Sequence, residues 1–503
     1  MTNKELLEYQ TQRGAKIGDA GDSNTRTLQA VLNDCRKRIE EESPKYRDLD
    51  INAKKAMIHQ IIVDFVMDTK PMVEGYIDGE NRSDTRKLVD ALVADITDYG
   101  ILTQAMQDDD VFEIRSNGRE IKAEVKGHVD DLKDKEGKIL RFSTPEQQEI
   151  ILKKLLGDVR LTKAAALVNG ITIEGYRIAA VHSSAMSDDP NDPTAPKFNS
   201  FVLRKFHKTK LKLGDIVKFH TMSDNMARTL ALSVAGGLTF FTVGPTASGK
   251  TTTNNAILQS VPPYLRTVII QNPSEIDLRM KTADGRMYND VLHLEARDVI
   301  NPTPNDPTMT NLINHTLRLS PSLVCLGEIR DNKEFKEATR ILQAGHPINT
   351  TFHAESSEGA IRRYLTAYLA ESGNEPSDLA LREITELVNL IIVQRIMADG
   401  TRKVLQISEV LGVDPEDRNR PLLNDLYRFV VDEEPETDDE GNVIKIHGHH
   451  HRVGTLSQKT IDRFKLQGIS SKRYDFLTKE VNEFEVETYT GTNIDHYGIN
   501  SSN

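Results

Sequence analysis

The sequence predicts an α/β protein built on a parallel sheet, with an α+β segment ahead of it and helices ahead of that. Three observations lead there. From about residue 208 to 395, apolar runs of strand length alternate with helical patterns, and that alternation implies a parallel α/β core. One of those runs, Leu238-Thr-Phe-Phe-Thr-Val, opens into Gly244-Pro-Thr-Ala-Ser-Gly-Lys-Thr and then into a helical stretch through Ser260. From Val111 to about residue 207, hairpin signals replace the strand–helix alternation.

A chain of 503 residues exceeds what one core accommodates, so two or three domains are expected. We divide it into a helical N-terminal extension at 1–60, an α+β domain at 61–207, the parallel α/β domain at 208–430 and a C-terminal tail at 431–503. Lys plus Arg number 64 and Asp plus Glu 76, a net charge of −12, which argues against a protein that coats nucleic acid. Cys35 and Cys325 are the two cysteines, and neither belongs to a Cys-x-x-Cys pair. That excludes a disulfide framework and a four-cysteine zinc site. Cys325 lies in an apolar run and reads as a small core residue. The N-terminus lacks the apolar core of a signal peptide, and no run of 18 apolar residues occurs. A cytosolic protein is expected, with any membrane role exerted through partners.

Taken in order, Leu28, Val31, Leu32 and Cys35 sit at helical spacing in a polar stretch that reads as a mobile extension. Ile61, Ile62, Phe65 and Val66, then Leu88, Leu92, Val93 and Ile96, mark two amphipathic helices. Val111-Phe-Glu-Ile-Arg and Ile121-Lys-Ala-Glu-Val are strands joined across Asn117-Gly118, a hairpin signal. Ile139-Leu-Arg-Phe is expected to continue that sheet, with residues 145–156 as a helix upon it. A second hairpin is expected from Asn169-Gly, Ile171-Thr-Ile and Tyr176-Arg-Ile-Ala-Ala-Val. Residues 187–199 form a Pro- and Asp-rich loop, and Phe201-Val-Leu-Arg-Lys-Phe returns to strand. Two helices follow between residues 211 and 232, with Ser223 as an N-cap.

Residues 244–251 match Gly-x-x-x-x-Gly-Lys-Thr, the phosphate-binding loop, in the strand–loop–helix context it requires. Gly244 and Gly249 let the backbone turn its N–H groups toward phosphate oxygens, and the helix N-terminus adds partial positive charge. Pro245, Thr246, Ala247, Ser248 and Thr252 complete the loop and its exit. Lys250 is placed to reach the β- and γ-phosphates, and the Thr251 hydroxyl to hold Mg²⁺. Thr267-Val-Ile-Ile is a second core strand, and Glu275 is the carboxylate in the segment after it, where α/β proteins place ligands. Leu323-Val-Cys-Leu is a third strand, ending in Gly327-Glu-Ile-Arg-Asp. An acid there suits Mg²⁺ held through water and an attacking water, so Glu328 is the expected catalytic carboxylate. His346 and His353 flank a further strand and are candidates to sense the γ-phosphate or reach a neighbouring subunit.

Together these segments resemble the secretion-superfamily ATPases of type II secretion, type IV pili and type IV secretion or conjugation. The loop at 244–253, Gly327-Glu-Ile-Arg-Asp, and Gly345-His with Thr350-Thr-Phe-His-Ala resemble their Walker A, Walker B and His boxes. Residues 271–276 take the place of the Asp box. The CpaF/TadA and VirB-type branch is similar also in Phe201-Val-Leu-Arg-Lys-Phe, in Leu294-Glu-Ala-Arg, and in the hairpin from Val393 to Leu405 with Ile407-Ser-Glu-Val-Leu-Gly. The resemblance implies a RecA-like P-loop core and ATP with Mg²⁺. It also implies a homohexameric ring acting on an inner-membrane platform protein, with no direct nucleic-acid contact. It further assigns Arg177 and Arg204 to closing on the nucleotide, Arg297 to a segment facing the site, and Arg330 to the Walker B box. Catalytic roles fall to Glu328, Glu275 and His353, and His346 joins the nucleotide-binding set.

Two departures stand out. The Asp box of the family carries an acidic pair where this chain has Gln271-Asn272, and Ala247 replaces a commoner Gly. In the tail, residues 432–440 hold seven acids in nine positions and read as a solvated loop. The run His447-Gly-His-His-His reads as an exposed strand and turn, since no ligand spacing suits a closed metal site. Residues 460–469 are expected to form a small helix.

Overall fold

A computed structural model describes residues 26–492 apart from 43–50, 74–83, 126–127, 158, 188–191, 193, 206–210, 273, 298–302, 374 and 482–485. The start of the expected extension, part of the 187–199 loop and the boundary near 207 lie outside the described residues. Contacts within the chain cluster into two units, 1–206 and 207–503.

The first unit opens with helices α1 (Leu28–Glu42), α2 (Ile51–Thr69) and α3 (Thr85–Thr97). Helix α2 runs across the expected boundary at 60. Its Ile58, Ile62 and Phe65 share one core with Val31, Leu32 and Cys35 of α1 and Leu88 and Leu92 of α3. After a short helix α4 (Thr103–Gln107) come β1 (Val111–Asn117), β2 (Glu120–Val125), β3 (His128–Asp131), helix α5 (Pro145–Leu156), β4 (Leu167–Ile171), β5 (Arg177–Val181) and β6 (Ser200–Arg204). They build an antiparallel sheet of order β3-β2-β1-β6-β5-β4. Period-two alternation sends Ile114, Ile121, Ile178, Phe201 and Leu203 to one face, against Ile151, Leu152 and Leu155 of α5. Each such fully buried aliphatic side chain is worth about 1.5–3 kcal/mol. Gln148 on α5 fastens the β1–β2 turn to the start of β6, donating to Gly118 O and Asn199 O and accepting from Asn199 N–H. Residues 139–142, expected as a strand, make only the single bridges Lys133–Ile139 and Glu120–Arg141. The Leu140 and Phe142 N–H groups donate to Leu132 O and Arg119 O, two separate segments, so no continuous ladder forms.

The second unit begins with α6 (Leu213–Lys218), α7 (Asp224–Ala235), β7 (Phe240–Val243), α8 (Lys250–Leu258), β8 (Thr267–Gln271), β9 (Val291–Glu295) and α9 (Met309–Thr316). It continues through β10 (Leu323–Leu326), α10 (Asn332–Gln343), β11 (Ile348–Phe352), α11 (Ser357–Ser372), α12 (Ser377–Leu387), β12 (Leu390–Ile396), β13 (Arg402–Val413) and β14 (Pro421–Val431). A small hairpin of β15 (Glu436–Thr437) and β16 (Val443–Lys445), then β17 (Gly448–Arg452), α13 (Gln458–Leu466) and α14 (Ser471–Thr478) complete it. Ser223 caps α7 as the sequence suggests, its Oγ accepting from Met226 N–H.

The main sheet has the order β17-β14-β13-β12-β7-β11-β10-β8-β9. From β12 to β9 its neighbours are parallel, and β13, β14 and β17 extend it antiparallel. Every residue of β7, β8, β10 and β11 is buried, as a parallel sheet covered on both faces demands. One face carries Phe240, Ile269, Cys325 and Ile392 against α7 and α8. The other carries Phe241, Val268, Val324 and Phe352 against α10, α11 and α12. Burial pushes the Cys325 thiol up, consistent with a core residue. This is the RecA-like P-loop architecture.

Residues beyond 431 are built into this unit. Strand β17 adds to the edge at β14, and Phe464, Tyr474 and Leu477 of the last two helices sit in the core that the sheet forms with α7 and α8. Gly236 makes room for Phe464, whose ring lies 2.5 Å from where a Cβ would be. His450 is fully buried, against the expectation of an exposed strand. The acidic stretch is exposed, and Glu436 pairs with His447 at 2.8 Å. Among the described residues no group of three or more His, Cys, Asp or Glu side chains is arranged to hold a metal, and no helix is long and apolar enough to cross a membrane.

Residues 486–492 return to strap the start of this unit. Asp224, at the N-terminus of α7, accepts from the hydroxyls of Thr488 and Thr490 and from the N–H groups of Thr490 and Gly491, while its own N–H donates to Thr488 O. The Tyr489 hydroxyl meets His450 Nδ1 at 2.8 Å, and its ring stacks on His220 at 4.7 Å. His450 Nε2 faces the Val404 carbonyl at 2.9 Å, which sets the tautomer: Nε2 donates there and Nδ1 accepts from tyrosine. Burial holds the His450 ring down to about 3, so it stays neutral in this role.

Candidate functional site

The parallel register gathers the motifs. Phe352 pairs with Val243, so His353 follows beside Gly244. Leu326 pairs with Thr350 and with Ile270, so Glu328 lies near His353 and Gly327 beside Gln271. The phosphate-binding loop, His353, Glu328 and residues 271–276 therefore sit at the C-terminal ends of β7, β11, β10 and β8, neighbouring strands in one sheet.

Within the loop, Gly249 is the N-cap of α8 with φ 87°, a conformation that costs a residue with a Cβ. Lys250 is 6% exposed, and its Nζ donates to the Pro245 carbonyl at 2.7 Å. Ser248 Oγ donates to the same carbonyl at 2.9 Å. Thr251 and Thr252 occupy the first turn of α8, Thr251 half-buried and Thr252 exposed. Thr246 is exposed as well.

Ala247 is held at φ 63°, in the left-handed region. That region costs an L-residue roughly 1–2 kcal/mol, which glycine avoids. Ala247→Gly is expected to raise the stability of this unit by about 1 kcal/mol and to leave nucleotide affinity unchanged. Thermal melts with and without nucleotide check both halves.

His353 joins the loop to the Walker B segment. Its Nδ1 lies 3.5 Å from Lys250 Nζ and 3.2 Å from Gly244 O, and its Nε2 lies 3.4 Å from Glu328 Oε1. A proton on Nε2 faces the Glu328 carboxylate and leaves Nδ1 to accept from the lysine, whereas a proton on Nδ1 would be donated to Gly244 O instead, so the lysine and the carbonyl compete for that nitrogen. The other carboxylate oxygen, Glu328 Oε2, accepts from Arg330 Nε at 2.7 Å. Arg330 is fixed in turn through its backbone N–H, which donates to Glu334 at 2.8 Å, and Glu334 completes a capping box with Asp331 at the start of α10.

Glu328, Arg330 and Arg297 also line a cavity of 560 Å³ with Asn272, Thr308 and Glu334. Arg297 thus opens onto the same cavity as the Walker B carboxylate. His346 is not brought to the loop. It precedes β11, while His353 follows it, and seven residues of extended chain separate the two by about 20 Å. His346 therefore stands at the N-terminal edge of the sheet, opposite the phosphate-binding loop. Arg177 and Arg204 belong to the first unit, where they are direct cross-strand partners on β5 and β6. Glu113 stands opposite Arg204 in the register, and its carboxylate pairs with Arg115 on its own strand.

Gln271 explains the first departure from the family pattern. Its carboxamide oxygen accepts from the N–H groups of Glu275 and Ile276, and its nitrogen donates to Ser274 Oγ and Ile276 O. All four hydrogen-bonding positions are spent on the loop that carries Glu275, which a carboxylate with no donor could not do. Gln271 also lies against Gly327, where a Cβ would come within 2.9 Å of the Gln271 Cβ. Sequence reasoning missed this staple, and the signal was available only as a glutamine ending an apolar strand.

Known proteins are similar to this chain over much of its second unit and part of its first. The family model for Type II/IV secretion system protein matches residues 145–424. The uncharacterized protein MJ0900 of Methanocaldococcus jannaschii is 28% identical over 252 residues, covering 50% of this chain and 41% of that protein. The probable conjugal transfer protein TrbB of Sinorhizobium fredii is 29% identical over 196 residues, covering 38% of this chain and 54% of that protein. The chain thus spans about half the length of these curated relatives. The X-ray structure of the Legionella pneumophila ATPase DotB aligns with a TM-score of 0.45 at 20% identity, over 63% of this chain and 81% of that one. With more than half of its length matched by the family model, the chain belongs to the type II/IV secretion system protein family.

Proposed function

We propose that this chain is an ATP hydrolase that drives a type IV pilus or a type II/IV secretion machine. On this reading it works as a homohexameric ring at the cytoplasmic face of an inner-membrane platform protein. The observation that carries the proposal is the chain of contacts from Lys250 through His353 to Glu328, at 3.5 and 3.4 Å. It joins the lysine of the phosphate-binding loop to the carboxylate that this reading assigns to an attacking water.

The residues fit ATP with Mg²⁺. Gly244 and Gly249 bring no side chain of their own into the loop, and Lys250 donates to the Pro245 carbonyl of that loop, a partner that phosphate oxygens can replace. The loop amides and Lys250 would hold the phosphates, Thr251 the metal, and Glu328 the metal through water. Bound Mg²⁺ would neutralise charge developing on the transferred phosphoryl group. Glu328 would orient the water, with His353 holding the carboxylate and Glu275 the remaining acid of the Asp-box segment. Arg177 and Arg204 enter the proposal through the family resemblance, as charge supplied during closure.

A second reading has its own support. Gln271 is committed to its loop and supplies no carboxylate, which suits a subunit that binds ATP as a regulatory scaffold with little hydrolysis. A conjugation ATPase is a variant of the first reading and shares its chemistry. Phosphate release by the purified protein, sized by light scattering beside Lys250→Ala, separates motor from scaffold. Turnover that needs Lys250 and rises with assembly is the expected result. Tight ATP binding in an assembled ring without turnover would replace the motor reading by the scaffold.

A further inference from the structure

Strand β12 lies on the other side of β7 from the Glu328–His353 pair, and none of its residues has been given a role. Its register pairs Val393 with Val243, which sets Gln394 beside Gly244. The approach is close. A Cβ on Gly244 would stand 1.9 Å from the Gln394 carbonyl oxygen. A Cβ on Gly249 would stand 3.1 Å from Gln394 Nε2 and 3.1 Å from Arg402 Cδ. The two glycines of the loop are therefore required by this hairpin as well as by a phosphate.

Arg402, the first residue of β13, donates from Nε to Ala247 O at 3.1 Å, at the strained residue of the loop. Gln394 is 1% exposed, and its Oε1 has no hydrogen-bond partner among the described residues. A buried oxygen without a donor is a standing cost to the fold, and such groups concentrate where a functional state supplies the missing partner. The β12–β13 pairing shifts register between Val393 and Gln394, a bulge of the kind that re-aims side chains next to functional sites.

We propose that Gln394 and Arg402 are positioning residues for the phosphate-binding loop. Arg402 holds the crown of the loop through the Ala247 carbonyl. Gln394 Oε1 accepts a loop N–H when phosphate draws Lys250 away from the Pro245 carbonyl. The inference rests on the reading of residues 244–251 as a nucleotide-binding loop, and it adds a second wall to that loop.

The test uses the full chain, a fluorescent ATP analogue and ADP, with melting curves recorded with and without nucleotide. Gln394→Met, similar in length and apolar, is expected to weaken nucleotide binding about tenfold while the nucleotide-free melting temperature holds or rises. KM should rise by the same factor, with kcat within about twofold of wild type. Arg402→Lys keeps the charge and loses the Nε donor, and is expected to bind as weakly as Arg402→Ala. Wild-type affinity in Gln394→Met overturns the role of Gln394. A fall in its nucleotide-free melting temperature that accounts for the lost binding overturns it too, in favour of packing. Wild-type affinity in Arg402→Lys overturns positioning by Arg402 in favour of charge alone. If wild type and Lys250→Ala bind equally, the nucleotide reading itself fails and takes this inference with it, a result distinct from the others.

Discussion

Glu328→Gln is expected to keep nucleotide binding within about twofold of wild type and to lower turnover about a thousandfold. The amide retains the shape of the carboxylate and can still meet His353, so the phosphate-binding side of the site is undisturbed. What it loses is the negative charge that, on the proposed reading, would orient and polarise water and hold a metal through water. The partners of Glu328 sharpen the expectation. Arg330 occupies Oε2 and His353 faces Oε1, so the carboxylate is fixed from both sides. Preorganisation of this kind is the main protein contribution to phosphoryl transfer. Single-turnover phosphate release beside an equilibrium binding titration measures both quantities. Turnover retained in the variant would remove Glu328 from the catalytic role and return the carboxylate question to Glu275.

The second large effect is structural and ties the start of the C-terminal unit to residues 486–492. Asp224→Ala is expected to destabilise the C-terminal unit by about 3 kcal/mol and to release residues 486–492 to protease. The carboxylate is 3% exposed and accepts four hydrogen bonds, two from backbone N–H groups of the strap. Removing it leaves those donors without an acceptor, and α7 loses a negative charge at its N-terminus. The strap also reaches His450, which donates to Val404, two residues from Arg402 at the phosphate-binding loop. Thermal melts and limited proteolysis check the prediction. An intact strap in Asp224→Ala would mean that Tyr489, stacked on His220 and bonded to His450, holds it without the carboxylate.

The legible part of this protein was carried by local patterns. The phosphate-binding loop, the strand before it and the helix after it form one contiguous segment whose chemistry depends on near neighbours. The same is true of Ser223 as an N-cap and of the hairpins at β1–β2 and β4–β5. The acid at Glu328 was legible because a carboxylate at the end of an apolar strand has few other uses beside such a loop. Parallel strands buried on both faces leave continuous apolar runs, and those runs revealed the core.

The sequence by itself determined which residue types carry the chemistry and the class of fold that holds them. Tertiary structure alone decided which of them meet. His346 and His353 read alike along the chain, but they end at opposite edges of the sheet because a strand carries the backbone about 3.3 Å per residue between them. Gln271 read as a lost acid, and only its four hydrogen bonds show it as the staple of its own loop. Gln394 and Arg402 reach the loop across a strand pairing of more than a hundred positions, and Asp224 meets its strap across 264 or more. Strand register and helix packing depend on burial summed over the whole unit. No window of sequence contains that sum, so contacts between distant segments stay hidden until the chain is folded.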